Sequence, residues 1–208
     1  MATRGRAVKL VAMSAESDIG NAKRALRAEL RQRRRMHTAS ERSAFTTDLT
    51  ATLQRFVEER AISSLSAYLP SSDEPNVRPF LNWAFDAGIR TLFPIARDDG
   101  LLDWAVGDGE TEHQGLAGVP EVVGEVLSPI AINDVDVILA PAAAVDRAGM
   151  RMGWGRGYYD KTLGSMAKRP PVYAVVFDAE YVDEVPRERH DQPVDGIITP
   201  SRILTFRS

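Results

Sequence analysis

Residues 135–163 read VDVILAPAAAVDRAGMRMGWGRGYYDKTL, and this stretch decides the fold. Its first six residues are apolar except for Asp136, and Pro141 ends the run. An apolar run without strict alternation is the pattern of a strand buried on both faces, as in a parallel sheet covered by helices. A loop with Asp146 and Gly149 follows, then Arg151, Met152, Gly153, Trp154, Gly155, Arg156 and Gly157, with glycine at every second position from 153. Residues 158–167, which begin Tyr158-Tyr159-Asp160, read as a helix. Strand, glycine loop and helix together make a phosphate site at the carboxyl end of a parallel strand. Glycines let backbone N–H groups approach an anion. The first turn of the helix adds unpaired N–H groups and the positive end of its dipole. Arg151 and Arg156 bring charge to the same place, and Asp160 lies within reach of a metal escorting phosphate.

The same glycines also suit a flexible turn, and their count alone does not separate the two readings. The loop is not a Walker A motif, because no Gly-Lys-Ser/Thr follows. It is not the dinucleotide fingerprint either, because its third glycine comes too early.

Outward from this stretch the pattern repeats. Residues 62–69 form a short apolar run stopped by Pro70, 77–87 look helical and are closed by Gly88, and 91–96 are β-like. Residues 172–177 and 196–199 read as two more strands, and 101–127, rich in glycine and acids, as short strands and loops. Upstream, 21–36 predict a helix carrying Ala22, Leu26 and Leu30 on one face. A second helix is predicted with Ser40 as N-cap and Phe45, Leu49, Leu53 and Phe56 at helical spacing. Strands alternating with helices predict a single-domain, three-layer α/β/α fold with a mainly parallel sheet and an N-terminal helical segment. Residues 1–18 are expected to be a flexible leader and 19–208 one α/β domain.

Composition narrows the function. The 208 residues are 44% hydrophobic and 26% charged, with a formal net charge of −3, so no global basic footprint for nucleic acid exists. There is no cysteine, which excludes a disulfide framework, a thiolate zinc site and a cysteine nucleophile. No apolar run approaches the roughly 18–20 residues of a membrane span. The apolar run at 8–13 lacks a signal-peptide core and cleavage site. A cytoplasmic protein with no membrane and no nucleic-acid partner is expected.

The segment from Gly149 through Arg151, Gly153, Gly155, Gly157, Tyr158 and Tyr159 to Asp160 resembles the signature of the 5-formyltetrahydrofolate cyclo-ligases, also called methenyltetrahydrofolate synthetases. Further pieces fall in that family's order. Lys23-Arg24-Ala25-Leu26-Arg27 resembles its N-terminal helix motif, and Tyr68-Leu69-Pro70 with Glu74 resembles its strand end and following acid. Pro186 through His190-Asp191, Val194-Asp195 and Thr199-Pro200 resemble its C-terminal segment. The resemblance spans roughly 21–203. It departs at Gly118-Val119-Pro120-Glu121-Val122, where Val122 stands in place of the family's proline.

The resemblance implies an enzyme that uses ATP and Mg²⁺ to convert 5-formyltetrahydrofolate to 5,10-methenyltetrahydrofolate. It implies that Lys23, Arg24, Ala25, Leu26 and Arg27, with Arg151 through Met152, Gly153, Trp154, Gly155, Arg156, Gly157 and Tyr158 to Tyr159, bind the nucleotide. Leu69, Glu74 and the stretch from Trp154 to Tyr158 fall on the folate side. It implies too that Asp160 and Asp191 hold Mg²⁺ and that Arg151 and Tyr158 act in catalysis. A monomer is expected, with a dimer left open. Two other readings stand beside this one. A different ATP-dependent kinase or ligase would use the same loop without needing folate. A nucleic-acid-binding protein would use the basic residues between Lys23 and Arg35, although Arg31 and Arg33, Arg34 and Arg35 read more simply as a solvated face. His37, His113 and His190 lack metal-ligand spacing and are expected to be structural or exposed.

Overall fold

The computed structural model describes residues 2–116, 118–188 and 191–206. Two long helices, α1 (Ala2–Met36) and α2 (Ala39–Glu59), lead into the sheet. Then follow β1 (Ser64–Ser66), α3 (Arg78–Asp86), β2 (Arg90–Ala96), β3 (Leu102–Gln114) and β4 (Pro120–Leu127). The second half holds β5 (Val137–Pro141), β6 (Ala144–Asp146), β7 (Arg151–Met152), α4 (Tyr158–Ser165), β8 (Val172–Val175), β9 (Tyr181–Val182), β10 (Gly196–Ile198) and β11 (Ile203–Thr205).

Eight strands form the main sheet in the order β11-β10-β8-β5-β1-β2-β3-β4. The central five, β10-β8-β5-β1-β2, are mutually parallel, and antiparallel partners close each side. Alternate residues feed two cores. Val137 and Leu139, Tyr173 and Val175, Phe93 and Ile198 face one core with Leu49, Leu53 and Phe56 of α2 and Phe80 and Leu81 of α3. Ile138 and Ala140, Val172 and Ala174, Leu92 and Ile197 face the other, with Leu163 of α4 and Ile132 of a short 3-10 helix. Each central strand is thus buried on both sides, which is why it reads as an apolar run. The expected three-layer architecture is the one observed.

A second sheet, β7-β6-β9, sits beyond the end of β5. The hydrophobic side of α1 (Leu26 and Leu30) packs on it through Ala144, Met152 and Val185. This contact brings the N-terminal helix to the glycine loop. Chain order also matters. From β1 the chain passes through α3 to β2 on one side, then returns to β5 on β1's other side. The switch between β1 and β5 opens a crevice at their carboxyl ends, the usual ligand position in such sheets.

Three expectations need correction. The first helix was expected to start near Asn21, yet helical backbone runs from Ala2. No proline interrupts 2–20, and Ala, Arg, Lys, Leu, Met and Glu dominate it. The N-cap of α2 is Thr38, not Ser40. Its hydroxyl accepts from Glu41 N–H at 3.2 Å, while the Glu41 carboxylate accepts from Thr38 N–H at 2.8 Å. Residues 101–127 form one long hairpin rather than short pieces, with an irregular register between Gly107 and Glu112. Among the described residues no helix is long and apolar enough to cross a membrane.

Candidate active site

Asp146, buried behind the loop, accepts from the N–H groups of Ala148 and Met150, both at 2.9 Å. These bonds turn the chain from β6 into β7 and deliver Arg151 to the crevice. Arg151 is only 4% exposed. Its Nη2 donates to Asp160 Oδ1 at 2.8 Å and its Nη1 reaches Pro141 O at 3.4 Å. The guanidinium carbon lies 5.6 Å from the centre of the Tyr159 ring.

From Gly153 the loop rises to α4. Gly155 has φ 101° and Gly157, the N-cap of α4, has φ 74°, both in territory that favours glycine. Among the described residues no side chain caps α4, which leaves its first N–H groups for a ligand. Across the loop, Arg27 Nε donates to Gly153 O at 2.7 Å. Burial pushes the Arg27 pKa down first and the neighbouring Arg31 adds to this, while Asp191, Glu188 and Asp160 oppose the shift. Lys23, one helical turn earlier and 6% exposed, donates to Glu188 at 2.7 Å and Asp191 at 2.6 Å.

The loop divides two cavities. One, of about 80 Å³, is lined by Lys23, Arg27, Gly155, Glu188 and Asp191. The other, of about 150 Å³, is walled by Tyr68, Leu69, Glu74, Pro94, Trp154 and Tyr158. Arg151, Gly153, Gly157 and Asp160 belong to both walls. The first cavity is charged, and the second is mostly apolar with Glu74 at its rim. Glu74 is held by the N–H and hydroxyl of Ser71, each at 2.9 Å. Burial pushes the Tyr159 phenol well above its ordinary value, so it stays neutral and able to donate, and among the described residues its hydroxyl has no hydrogen-bond partner.

The residues singled out in the sequence therefore come together, with three exceptions. Arg24 is exposed and bonds to Asn21 on its own helix. Ala25 and Leu26 line neither cavity, and Leu26 packs on the small sheet. The expected solvated face also fails at Arg34, which is 1% exposed. Arg34 binds both oxygens of Glu180 at 2.6 and 2.7 Å, donates to Ala142 O at 2.9 Å and Asp73 O at 3.2 Å, and sits 4.7 Å over the Trp154 ring. Helical spacing carries the signal that the charge run hid, since Arg34 lies four residues past Leu30 and eight past Leu26.

Two acids were also missed. Glu188 sits three residues before Asp191 in sequence, and its carbonyl accepts from Asp191 N–H at 3.2 Å. Glu121 is buried, lines the apolar cavity and accepts from Ala96 N–H at 2.9 Å. Val122, where the sequence departs from the family's pattern, lies in β4 with its side chain in the core. His37 is structural, edge-on to Phe45 and Phe177, and His113 is exposed beside Glu121. His190 lies outside the described residues.

Known proteins resemble this chain in sequence and in fold. The 5-formyltetrahydrofolate cyclo-ligase family model matches residues 19–200. A 5-formyltetrahydrofolate cyclo-ligase of Mycolicibacterium smegmatis is 38% identical over 144 residues, covering 67% of this chain and 74% of its own. That of Escherichia coli K12 is 25% identical over 179 residues, covering 84% and 98%. The solved 5,10-methenyltetrahydrofolate synthetase of Aquifex aeolicus superposes with a TM-score of 0.74 at 24% identity, over 90% of this chain and 94% of that one, which establishes the shared fold. Signature loop, paired cavities, family match and fold agree: the chain belongs to the 5-formyltetrahydrofolate cyclo-ligase family of enzymes.

Proposed function

We propose that this enzyme couples ATP, with Mg²⁺, to the conversion of 5-formyltetrahydrofolate into 5,10-methenyltetrahydrofolate, releasing ADP and phosphate. The observation that carries the reading is the pair of cavities, one charged and one apolar, meeting at Arg151, Gly153, Gly157 and Asp160. A phosphoryl donor and a flat apolar acceptor bound on the two sides of that wall present their reacting atoms to each other, which is the main thing phosphoryl transfer asks of a protein.

The chemistry follows from the substrate. The formyl oxygen of an N-formyl group is a poor leaving group. Transfer of the γ-phosphoryl to it gives an N5-iminium phosphate. N10 then attacks the activated carbon and loses its proton, and phosphate departs to leave the methenyl bridge. Lys23, Arg27 and the loop from Arg151 to Tyr159 hold the triphosphate. Arg151, already buried against Asp160, offers a guanidinium where charge builds on the transferring group. Tyr158 and Tyr159 line the apolar side, where Leu69 and Glu74 receive the pterin.

A hard cation suits the charged cavity. Lys23, Arg27 and Arg151 are matched there by Asp160, Glu188 and Asp191, three charges of each sign. A triphosphate entering this balance needs additional positive charge, and Mg²⁺ supplies it while accepting one or two carboxylates plus phosphate oxygens and water. Asp160 and Asp191 are the carboxylates assigned to it. Phosphate oxygens would compete with Asp191 for Lys23, so that its carboxylate would keep one ion pair fewer when the cation binds. The reading places the enzyme in the cytoplasm as a monomer with no nucleic-acid partner. Measuring ADP release with and without 5-formyltetrahydrofolate tests it: release that depends on the folate supports it, and equal release in its absence favours another ATP-dependent activity.

A further inference from the structure

A third cavity, of about 270 Å³, opens outward from the apolar one. The two share Glu74, Val119, Trp154 and Arg156, and Arg31, Ser71 and Asp73 complete the outer wall. The outer cavity thus continues the inner one past Trp154 and ends between two arginines on different elements, Arg31 of α1 and Arg156 of the glycine loop. Its acids are Asp73 and Glu74, and the Glu74 carboxylate is already held by Ser71.

Arg31 is poorly compensated where it stands. It lies four residues from Arg27 and three from Arg34, so like charges crowd successive turns of one helix, which is unfavourable unless an anion intervenes. Its guanidinium is 4.9 Å from the centre of the Trp154 ring, and no carboxylate among the described residues pairs with it. Arg27 faces Asp191, Glu188 and Asp160, and Arg34 is saturated by Glu180. Arg27 lines the charged cavity and Arg34 is locked onto Glu180, so of the three it is Arg31 that lines the outer cavity.

We propose that the outer cavity is a subsite for the carboxylates of the substrate's glutamate tail, with Arg31 as its specificity-determining residue and Arg156 opposite. This rests on the folate reading above. With the pterin in the inner cavity, the aminobenzoyl ring passes the wall at Trp154. The glutamate that follows then reaches the two guanidiniums, which bind carboxylates in planar, two-point fashion.

The test compares 5-formyltetrahydrofolate with 5-formyltetrahydropteroate, which lacks the glutamate, on wild type and Arg31→Gln. Wild type is expected to favour the glutamate-bearing substrate in kcat/KM by about tenfold, a preference carried by KM that weakens as salt rises. In Arg31→Gln that preference falls to about twofold or less, and in Arg31→Glu it disappears. A wild type indifferent to the glutamate overturns the subsite, and so does a preference unchanged in Arg31→Gln. The salt series on wild type reads the same interaction without any substitution: a preference insensitive to salt also overturns it. If neither compound is turned over by wild type, the folate reading itself has failed.

Discussion

Replacing Gly155 with alanine tests whether the loop is a phosphate cradle or only a turn. At φ 101° an added Cβ is strained wherever it points, and it would lie 3.3 Å from Arg27 Nη1 and 3.4 Å from Arg27 Cζ. The strain is about 1–3 kcal/mol. For a domain of this size each kcal/mol moves Tm by about 2–4 °C, so Tm should fall by about 2–12 °C. Arg27 must also give by a few tenths of an ångström, which disturbs its hydrogen bond to Gly153 O. Misplacing a cradle that positions the transferring phosphoryl costs up to about a hundredfold in kcat/KM for a displacement of about 1 Å, so a loss of about tenfold or more is expected here. Gly157→Ala is the control. Its φ of 74° carries about 1–2 kcal/mol of strain, but a Cβ there meets nothing within 4 Å, so Tm should fall similarly with a smaller loss of activity. Steady-state kinetics and a thermal melt on each purified variant decide. Near-normal kcat/KM in both variants refutes the cradle, and a collapse of Tm with normal activity per folded molecule assigns the glycines to packing.

Four further outcomes are expected. Asp160→Asn leaves the Arg151 guanidinium buried without its charge partner, so a melt should show a loss of about 3 kcal/mol. Raising Mg²⁺ should partly restore its turnover, and unchanged activity at limiting Mg²⁺ removes Asp160 from the metal role. Lys23→Ala should raise the KM for ATP more than that for folate and Glu74→Gln the reverse, with direct binding titrations as the check; equal effects on both defeat the assignment of sides. Glu180→Gln breaks the buried pair with Arg34 and should cost about 3–5 kcal/mol in denaturant unfolding, whereas a surface pair such as Arg33 with Glu29 contributes under about 1 kcal/mol. Burial raises the Tyr159 pKa above its ordinary 10.0. The unfolded chain therefore ionises first as alkalinity rises, so this contribution is complete below about pH 10 and lost above it. Tyr159→Phe should flatten that alkaline decline in Tm.

The sequence made the central sheet legible because 91–93, 137–140 and 172–176 are buried on both faces and carry almost no polar interruption. The hairpin of β3 and β4 escaped because only a few of its residues, among them Trp104, Ala105 and Val122, are buried, while Val123 and Val126 face outward. A strand at the sheet's edge needs little apolar pattern. The site was legible where the backbone itself is constrained, at Gly155 and Gly157, and where motif residues converge, at Lys23, Arg151 and Asp191. Arg34 was hidden inside a run of arginines that differ only in which side of α1 they occupy. Glu121 and Glu188 were hidden because burial and pairing, which single them out, arise from tertiary contacts.

The central claim is tested most directly by following methenyltetrahydrofolate absorbance and ADP together in one reaction of purified protein, 5-formyltetrahydrofolate, ATP and Mg²⁺. The account predicts both products at equal rates, and neither when ATP, Mg²⁺ or the folate is left out. ADP formed without the methenyl product, or the methenyl product formed without ATP, would contradict it.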